Sequence, residues 1–319
     1  MKEIFNECND SITDCIRNLF TDYEGITHIR TNVSSVYYAN RKGEKYIIKI
    51  IVIGGTNDEN YDEYLLAHYE SIINLSKSDA FPKIFDCKIK EINNYRFAFI
   101  VEEYITYTFQ EGIEYLFKNF ENDVKLTAIN FMKNLLSLYV SSKHVGFQAH
   151  RDLSFDNMRF TSDYQLKMID TASAKNSQIE TTCFHQATPT KYFYASPEYT
   201  EIHIDRTEDG IVNSEIYTIG LLSGSLMGAL RLGYFNIPDY KAQGCGIYNW
   251  LIENKYHFNP GIQLPQRYKN EYFNFLLIEV FRGNETDLFY RLLCSMVQES
   301  VSQRIHSYEK ILDILGRCE

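Results

Sequence analysis

Two short polar motifs at a defined spacing constrain this chain of 319 residues more than any other feature. The first, HRDLSFDN, begins at His150 and contains Asp152 and Asn157, and the second, MIDTA, contains Asp170. A helical periodicity over residues 123 to 143 precedes the first motif, and a strand-like run leads into the second. The sequence therefore predicts two loops that together carry the carboxylates of Asp152 and Asp170 and the amide of Asn157.

Two carboxylates and an amide are the side chains that phosphoryl transfer requires. One carboxylate orients the attacking hydroxyl, while an amide and a second carboxylate hold magnesium on the nucleotide phosphates. Asp152 is the candidate catalytic residue, and Asn157 and Asp170 are the candidate magnesium ligands. An HRD triplet alone is weakly informative, but H-R-D-L-x-x-x-N followed by an apolar-Asp-x-small turn, 13 residues after the Asn, is far more specific.

The two motifs resemble the catalytic and metal-binding loops of a eukaryotic-type protein kinase domain, and the similarity extends from about Ile26 to Leu312. The resemblance implies an α+β, two-lobed fold. A small antiparallel β-sheet lobe at 25–103 would follow an N-terminal helical extension at 1–24, and a larger, mainly helical lobe would occupy 104–319. It also implies that ATP and magnesium are cofactors and that the substrate is a protein.

Lys49 interrupts an apolar run, residues 46 to 53, that is typical of a strand buried on both faces. A lysine in such a strand needs an anionic partner, because an unpaired buried charge is costly. In the kinase pattern this lysine holds the nucleotide phosphates, acts in catalysis and pairs with a helix glutamate. The helical stretch 58–75 offers two partners, Glu70, which we prefer, and Glu63.

The remaining nucleotide contacts implied by the resemblance depart from the family pattern. The positions at which the family carries glycine in its phosphate loop are Ile29, Thr31 and Ser34, so close backbone approach to phosphate is harder. Ser34 is nevertheless the loop residue that we assign to the nucleotide. Glu103 and Ile105 occupy the hinge positions whose backbone groups are implied to bind adenine.

Two further positions bear on the reaction. Glu102 stands at the gatekeeper position of the hinge strand, and Ser154 stands where serine/threonine kinases usually carry a lysine. The arginine that tyrosine kinases carry two or four residues after the catalytic Asp152 is absent, because those positions are Ser154 and Asp156. Serine or threonine is therefore the expected phosphate acceptor.

The stretch from Asp170 to Glu198 corresponds to the activation segment and closes with an SPE triplet that resembles the family's A-P-E. We expect autophosphorylation at a threonine between Thr181 and Thr190, with Arg151 binding the phosphate. Arg304 lies in a motif similar to that of the family's last helix. It is implied to form a buried, structural ion pair with Glu198.

Two alternatives to a protein kinase remain open. A pseudokinase or scaffold would retain the fold without transfer, and the glycine-free loop favours it. A small-molecule kinase of the aminoglycoside or choline type would use a similar catalytic loop, but the SPE triplet and the motif around Arg304 argue against it.

The composition disfavours some classes of binding partner and indicates the cellular compartment. The formal net charge of -10 disfavours nucleic acid and anionic membranes as partners. Seven scattered cysteines without a C-x-x-C pair argue against a zinc site and a disulfide framework. Because the N-terminus also lacks an apolar signal core, we expect a cytoplasmic protein.

Overall fold

The computed structural model describes residues 1–32, 34–55, 59–179, 194–200, 208–233, 246–257 and 264–318. These residues form two compact units. The first unit contains Met1–Ile105 and the described residues from Asn176 to Ile179, and the second contains Thr106–Lys175 and the described residues from Tyr194 onward. The predicted phosphorylation sites between Thr181 and Thr190 lie outside the described residues.

A five-stranded antiparallel sheet forms the centre of the first unit. Its strands are β1 (Glu24–Thr31), β2 (Ser35–Arg41), β3 (Glu44–Gly54), β4 (Ile84–Ile92) and β5 (Tyr95–Glu103), in the spatial order β1-β2-β3-β5-β4. Asn93 and Asn94 form the turn between β4 and β5 with φ values of 50° and 66°. In the sequence, the Asn-Asn pair between two strand-like runs, residues 84 to 92 and 95 to 101, predicts a hairpin. The structure confirms it, because asparagine tolerates this left-handed conformation.

Helices cover both faces of this sheet. On one face, α1 (Lys2–Glu7) and α2 (Asn9–Leu19) contribute Phe5, Ile12 and Ile16 to a core that includes Ile48 and Ile50 of β3. On the other face, α3 (Glu59–Leu75) contributes to a core with the alternate β3 residues, Ile51 and Ile53. β3 is thus buried on both sides, which accounts for its nearly unbroken apolar sequence.

The N-terminal segment differs in detail from the sequence expectation. A single amphipathic helix was expected within residues 1–24, whereas α1 and α2 are separate helices that meet at the fully buried Cys8. Both pack onto the sheet, as we expected for this segment. The extension is therefore part of the hydrophobic core of the first unit.

The second unit is mainly helical. Its helices are α4 (Phe109–Asn119), α5 (Val124–Ser141), α6 (Glu208–Leu232), α7 (Ile247–Glu253), α8 (Gln266–Glu279), α9 (Leu288–Met296) and α10 (Tyr308–Leu315). α6 is the central helix, and α5, α7, α8 and α9 all contact it. Gly220, Gly224 and Gly228 let its neighbours approach closely, because a Cβ at the first or third position would lie 2.7 Å or less from a side chain of α9 or α8.

Short strands complete the second unit and position the two polar motifs. β6 (Tyr107–Thr108), β8 (Met158–Phe160) and β9 (Leu166–Met168) form a three-stranded sheet in the order β6-β8-β9. β7 (Phe147–Ala149) precedes the first motif, and β10 (Lys175–Asn176) follows the second. Met158 pairs with Met168 across β8 and β9, so the end of the first motif lies beside the start of the second.

The described residues therefore have the mixed α+β architecture that the sequence predicts, with an antiparallel sheet in one unit and mainly helices in the other. Beside the helix expected at 123–143, which corresponds to α5, the sequence predicts helices at 216–230, 269–281 and 286–297, and these correspond to α6, α8 and α9. The short helices α4, α7 and α10 were not predicted. No helix among the described residues combines the length and apolarity needed to cross a bilayer.

Candidate functional site

Aromatic packing holds the loop that carries the first motif. The ring of Phe155 stacks on that of Phe109 in α4, with 4.5 Å between the ring centroids, and lies 6.4 Å from that of Phe131 in α5. Phe155 is 1% exposed and opens a 3₁₀ turn, Phe155–Asn157. The polar residues on either side of it therefore have a fixed, water-poor support.

Within this loop, the structure brings Asp152 and Asn157 into direct contact. Asn157 Nδ2 donates to the Asp152 carbonyl oxygen at 2.8 Å and to Asp152 Oδ2 at 3.1 Å. Because both bonds use the amide nitrogen, they fix the orientation of the amide. Asn157 Oδ1 accepts no hydrogen bond from the described part of the chain, so this oxygen is available as a donor to a ligand.

The loop that carries Asp170 is bonded to the first loop at two places. The Ile169 amide donates to the Asn157 carbonyl at 2.9 Å, and the Ile169 carbonyl accepts from His150 Nε2 at 2.9 Å. Asp170 itself has φ 57° and ψ 58°, a left-handed conformation that turns the chain directly after these bonds. The three polar residues predicted from the sequence thus lie on two loops that are hydrogen-bonded to each other.

A glutamate of α6 supports the backbone of the first loop. Arg151 has φ 65°, which a residue with a long side chain adopts only when its surroundings impose it. Glu215, 4% exposed, accepts the His150 amide at 2.9 Å through Oε1 and the Arg151 amide at 3.2 Å through Oε2. These charge-assisted bonds hold the strained turn that presents Asp152.

In the first unit, Lys49 lies on β3 and is 7% exposed, which agrees with a strand buried on both faces. Glu70 and Glu63, its two predicted partners, are both exposed on α3. Neither glutamate forms a hydrogen bond or an ion pair with another described residue. The structure thus shows neither glutamate paired with Lys49, and these contacts do not decide between the two.

The other predicted nucleotide-binding residues also lie in the first unit. Ser34 is 6% exposed in the turn between β1 and β2. The Glu103 amide donates to the Lys83 carbonyl at 2.8 Å, while Glu103 Oε2 accepts the Lys83 amide at 3.1 Å. The Glu103 amide is thus already engaged, and Ile105, 4% exposed, follows it at the end of the unit.

The ion pair expected between Glu198 and Arg304 is confirmed. Both terminal guanidinium nitrogens of Arg304 contact the Glu198 carboxylate, and Nη2 lies 3.2 Å from Oε2. The Arg304 side chain is fully buried. Arg304 also donates to backbone carbonyls, including that of Asn213 at 2.9 Å. The pair anchors the SPE triplet to the start of α6.

A second buried cation beside this pair had no counterpart in the sequence analysis. Lys269 of α8 is 1% exposed, and its ammonium donates to the Tyr217 hydroxyl and lies 4.9 Å from the centre of that ring. The pKa of Lys269 is lowered to about 8, mainly by burial; the positive charge of Arg304 contributes to the lowering, whereas Glu299 and Glu198 oppose it. The available signal was a lysine on the otherwise apolar face of a helix.

The described residues contain no cluster of three or more His, Cys, Asp and Glu side chains suited to a metal ion. A magnesium site does not require such a cluster. At sites that bind nucleotide phosphates, this ion keeps several waters and is held by one or two protein oxygens together with the phosphates. Asn157 and Asp170 offer a set of oxygen donors that fits this chemistry. No protein-family model matches the chain, and no curated protein matches its sequence.

Proposed function

We propose that this chain has a two-lobed, protein kinase-like fold and transfers the γ-phosphate of ATP to serine or threonine hydroxyls of proteins. The observation that carries the proposal is the joined pair of loops in the second unit. Asp152 and Asn157 are hydrogen-bonded side chain to side chain, and Asp170 follows a residue bonded to both ends of their loop. A catalytic carboxylate beside two oxygen ligands is the arrangement that phosphoryl transfer uses.

In this proposal Asp152 acts on the acceptor. Its carboxylate orients the substrate hydroxyl, whose oxygen forms a bond to the γ-phosphorus as the bond to the bridging oxygen of ADP breaks, and the hydroxyl proton passes to Asp152. The two hydrogen bonds from Asn157 fix the carboxylate before substrate arrives. Less reorganisation is then needed in the transition state.

The proposal also assigns residues to the nucleotide and to its magnesium ion. Asn157 Oδ1 and the Asp170 carboxylate would hold magnesium, which neutralises charge on the phosphates when it is bound. Lys49 is assigned to the phosphates, because it is a buried cation on the central sheet. Ser34 and the backbone at Glu103 and Ile105 complete the nucleotide contacts in the proposal.

A scaffold function is the alternative, and two observations favour it. The β1–β2 turn contains Ser34 and carries none of the glycines that allow close backbone approach to phosphate. Ser154, where a lysine would touch the transferred phosphate, is 1% exposed and cannot supply a cation. A scaffold would bind partners without consuming ATP.

Incubation with γ-labelled ATP and magnesium separates these functions. We expect label in the protein itself or in an added generic basic protein, with phosphoserine or phosphothreonine after hydrolysis. Label in an aminoglycoside or choline instead would indicate a small-molecule kinase. No label in any acceptor, from protein whose melting curve shows a folded state, would contradict phosphotransfer and leave the scaffold.

A further inference from the structure

The buried carboxylate that supports the catalytic loop has a third donor. Glu215 Oε1, which accepts the His150 amide, also accepts a hydrogen bond from the hydroxyl of Tyr139 in α5. Tyr139 is 1% exposed, and its ring packs 5.0 Å from that of Phe147, just before the catalytic loop. The carboxylate orientation that holds the loop amides therefore depends on a side chain of another helix.

A second buried tyrosine connects the C-terminal helix to the same place. The hydroxyl of Tyr308, the first residue of α10, donates to the Gln148 carbonyl at 3.2 Å, two residues before His150. The rings of Tyr308 and Tyr139 lie 4.9 Å apart. His306 Nδ1 also lies 2.7 Å from Asn213 Oδ1, near Glu215 on α6. The segment that opens α10 thus contacts β7, through Gln148, and α6, through Asn213.

Burial and nearby negative charge keep the hydroxyl groups of Tyr139 and Tyr308 protonated, so that both can donate a hydrogen bond. Burial raises the pKa of Tyr139 well above its ordinary value, and the negative charge of Glu215 raises it further. The same two causes raise the pKa of Tyr308. Both phenols therefore remain protonated over the whole range in which an enzyme is assayed, and loss of either donor requires a substitution.

We propose that Tyr139 and Tyr308 are positioning residues, which hold Glu215 and β7 so that the backbone at His150 and Arg151 presents Asp152 in a productive orientation. The inference rests on the proposed function for its effect on rate. Neither tyrosine touches a reacting group, so their contribution is geometric. The C-terminal helix α10 is then part of the catalytic support.

The test removes one hydroxyl and keeps the ring. In Tyr139→Phe we expect the His150 and Arg151 amides to exchange with deuterium about tenfold faster, because one hydrogen bond to a charged group is lost. We also expect kcat for phosphate transfer to fall about tenfold, with an unchanged KM for Mg-ATP. Tyr308→Phe should change both quantities in the same direction and serves as a second variant should Tyr139→Phe not fold.

Tyr272→Phe is the matched control. Tyr272 is fully buried in the same unit, and its hydroxyl donates to the Gly224 carbonyl at 2.9 Å, away from the catalytic loop. The inference requires that this control leave exchange at His150 and Arg151 unchanged. Wild-type exchange in Tyr139→Phe and Tyr308→Phe, or an equal increase in Tyr272→Phe, would overturn it.

Exchange needs no nucleotide, so it separates this inference from the proposed function. An inactive wild-type protein would contradict the proposed function, and the exchange rates of His150 and Arg151 would still decide whether the tyrosines hold the loop. An active wild type whose Tyr139→Phe variant keeps both its kcat and its exchange rates would overturn the inference alone.

Discussion

At the scale of single residues, Lys269 is a lysine that is almost fully buried beside a second cation, Arg304. It lies within a group that contains Tyr217 and Arg304, with Glu198 and Glu299 as the nearby carboxylates. Burial is the main cause of the lowered pKa of Lys269, the charge of Arg304 adds to it, and the carboxylates of Glu299 and Glu198 only partly compensate. The neutral amine is therefore favoured in the folded protein more than in the unfolded chain, where the pKa is about 10.4.

Replacement of Lys269 by methionine tests this setting. Between pH 8 and about pH 10.4 the unfolded chain binds more protons than the folded protein, so wild-type stability should rise with pH across this window. Because methionine has no titratable group, the Lys269→Met variant lacks this dependence of stability on pH. We expect the free energy of unfolding of wild type relative to the variant to increase by on the order of 2 kcal/mol from pH 7 to pH 10. Denaturant titrations at both pH values measure it, and a constant difference would mean that Lys269 is charged throughout.

The residues whose type is fixed by the proposed chemistry were the easiest to predict from the sequence. Asp152, Asn157 and Asp170 were predicted because one spacing pattern carries all three, and the structure places them on two bonded loops. Glu70 was preferred to Glu63 as the partner of Lys49, but two glutamates at helical spacing look alike without the packing that orients the helix. Tyr139 gave no signal, since a tyrosine on the apolar face of α5 is typical of any core.

At the scale of elements, the Glu198–Arg304 pair joins the SPE triplet to the start of α6. We expect Glu198→Ala to lower the free energy of unfolding by about 3–5 kcal/mol, because it leaves a fully buried guanidinium without its counter-charge. Chemical denaturation of the two proteins measures the difference.

The control for that prediction is an exposed ion pair. Arg231 and Glu279 pair at 2.8 Å with side chains 49% and 40% exposed, so Glu279→Ala should cost less than about 1 kcal/mol. Equal, small losses in Glu198→Ala and Glu279→Ala would mean that the buried pair does not stabilise the fold.

Helices and strands with a clear local sequence signal could be predicted, and short elements without such a signal could not. The β4–β5 hairpin was found because two asparagines permit a left-handed turn, and α6 because its apolar run is long. α7 and α10, with 7 and 8 residues, are too short for a clear periodicity. The N-terminal helices were expected as one, since the break at Cys8 involves neither glycine nor proline.

At the scale of the whole molecule, the division into two units follows from two separate cores. The first unit is built around a sheet whose two faces are covered by helices, and the second around the buried helix α6. The α+β class was expected from the resemblance of the two polar motifs, and the apolar run of β3 and the helical periodicity of α5 agree with it.

The most direct test of the account is the rate of γ-phosphate transfer in Asp152→Asn beside wild type. The substitution keeps the size of the side chain and removes its basicity, so the protein should melt like wild type. We expect transfer to fall at least about 100-fold, the usual contribution of a positioned catalytic base. Wild-type turnover in a correctly folded Asp152→Asn protein would contradict the central claim, because the reaction would then not depend on this carboxylate.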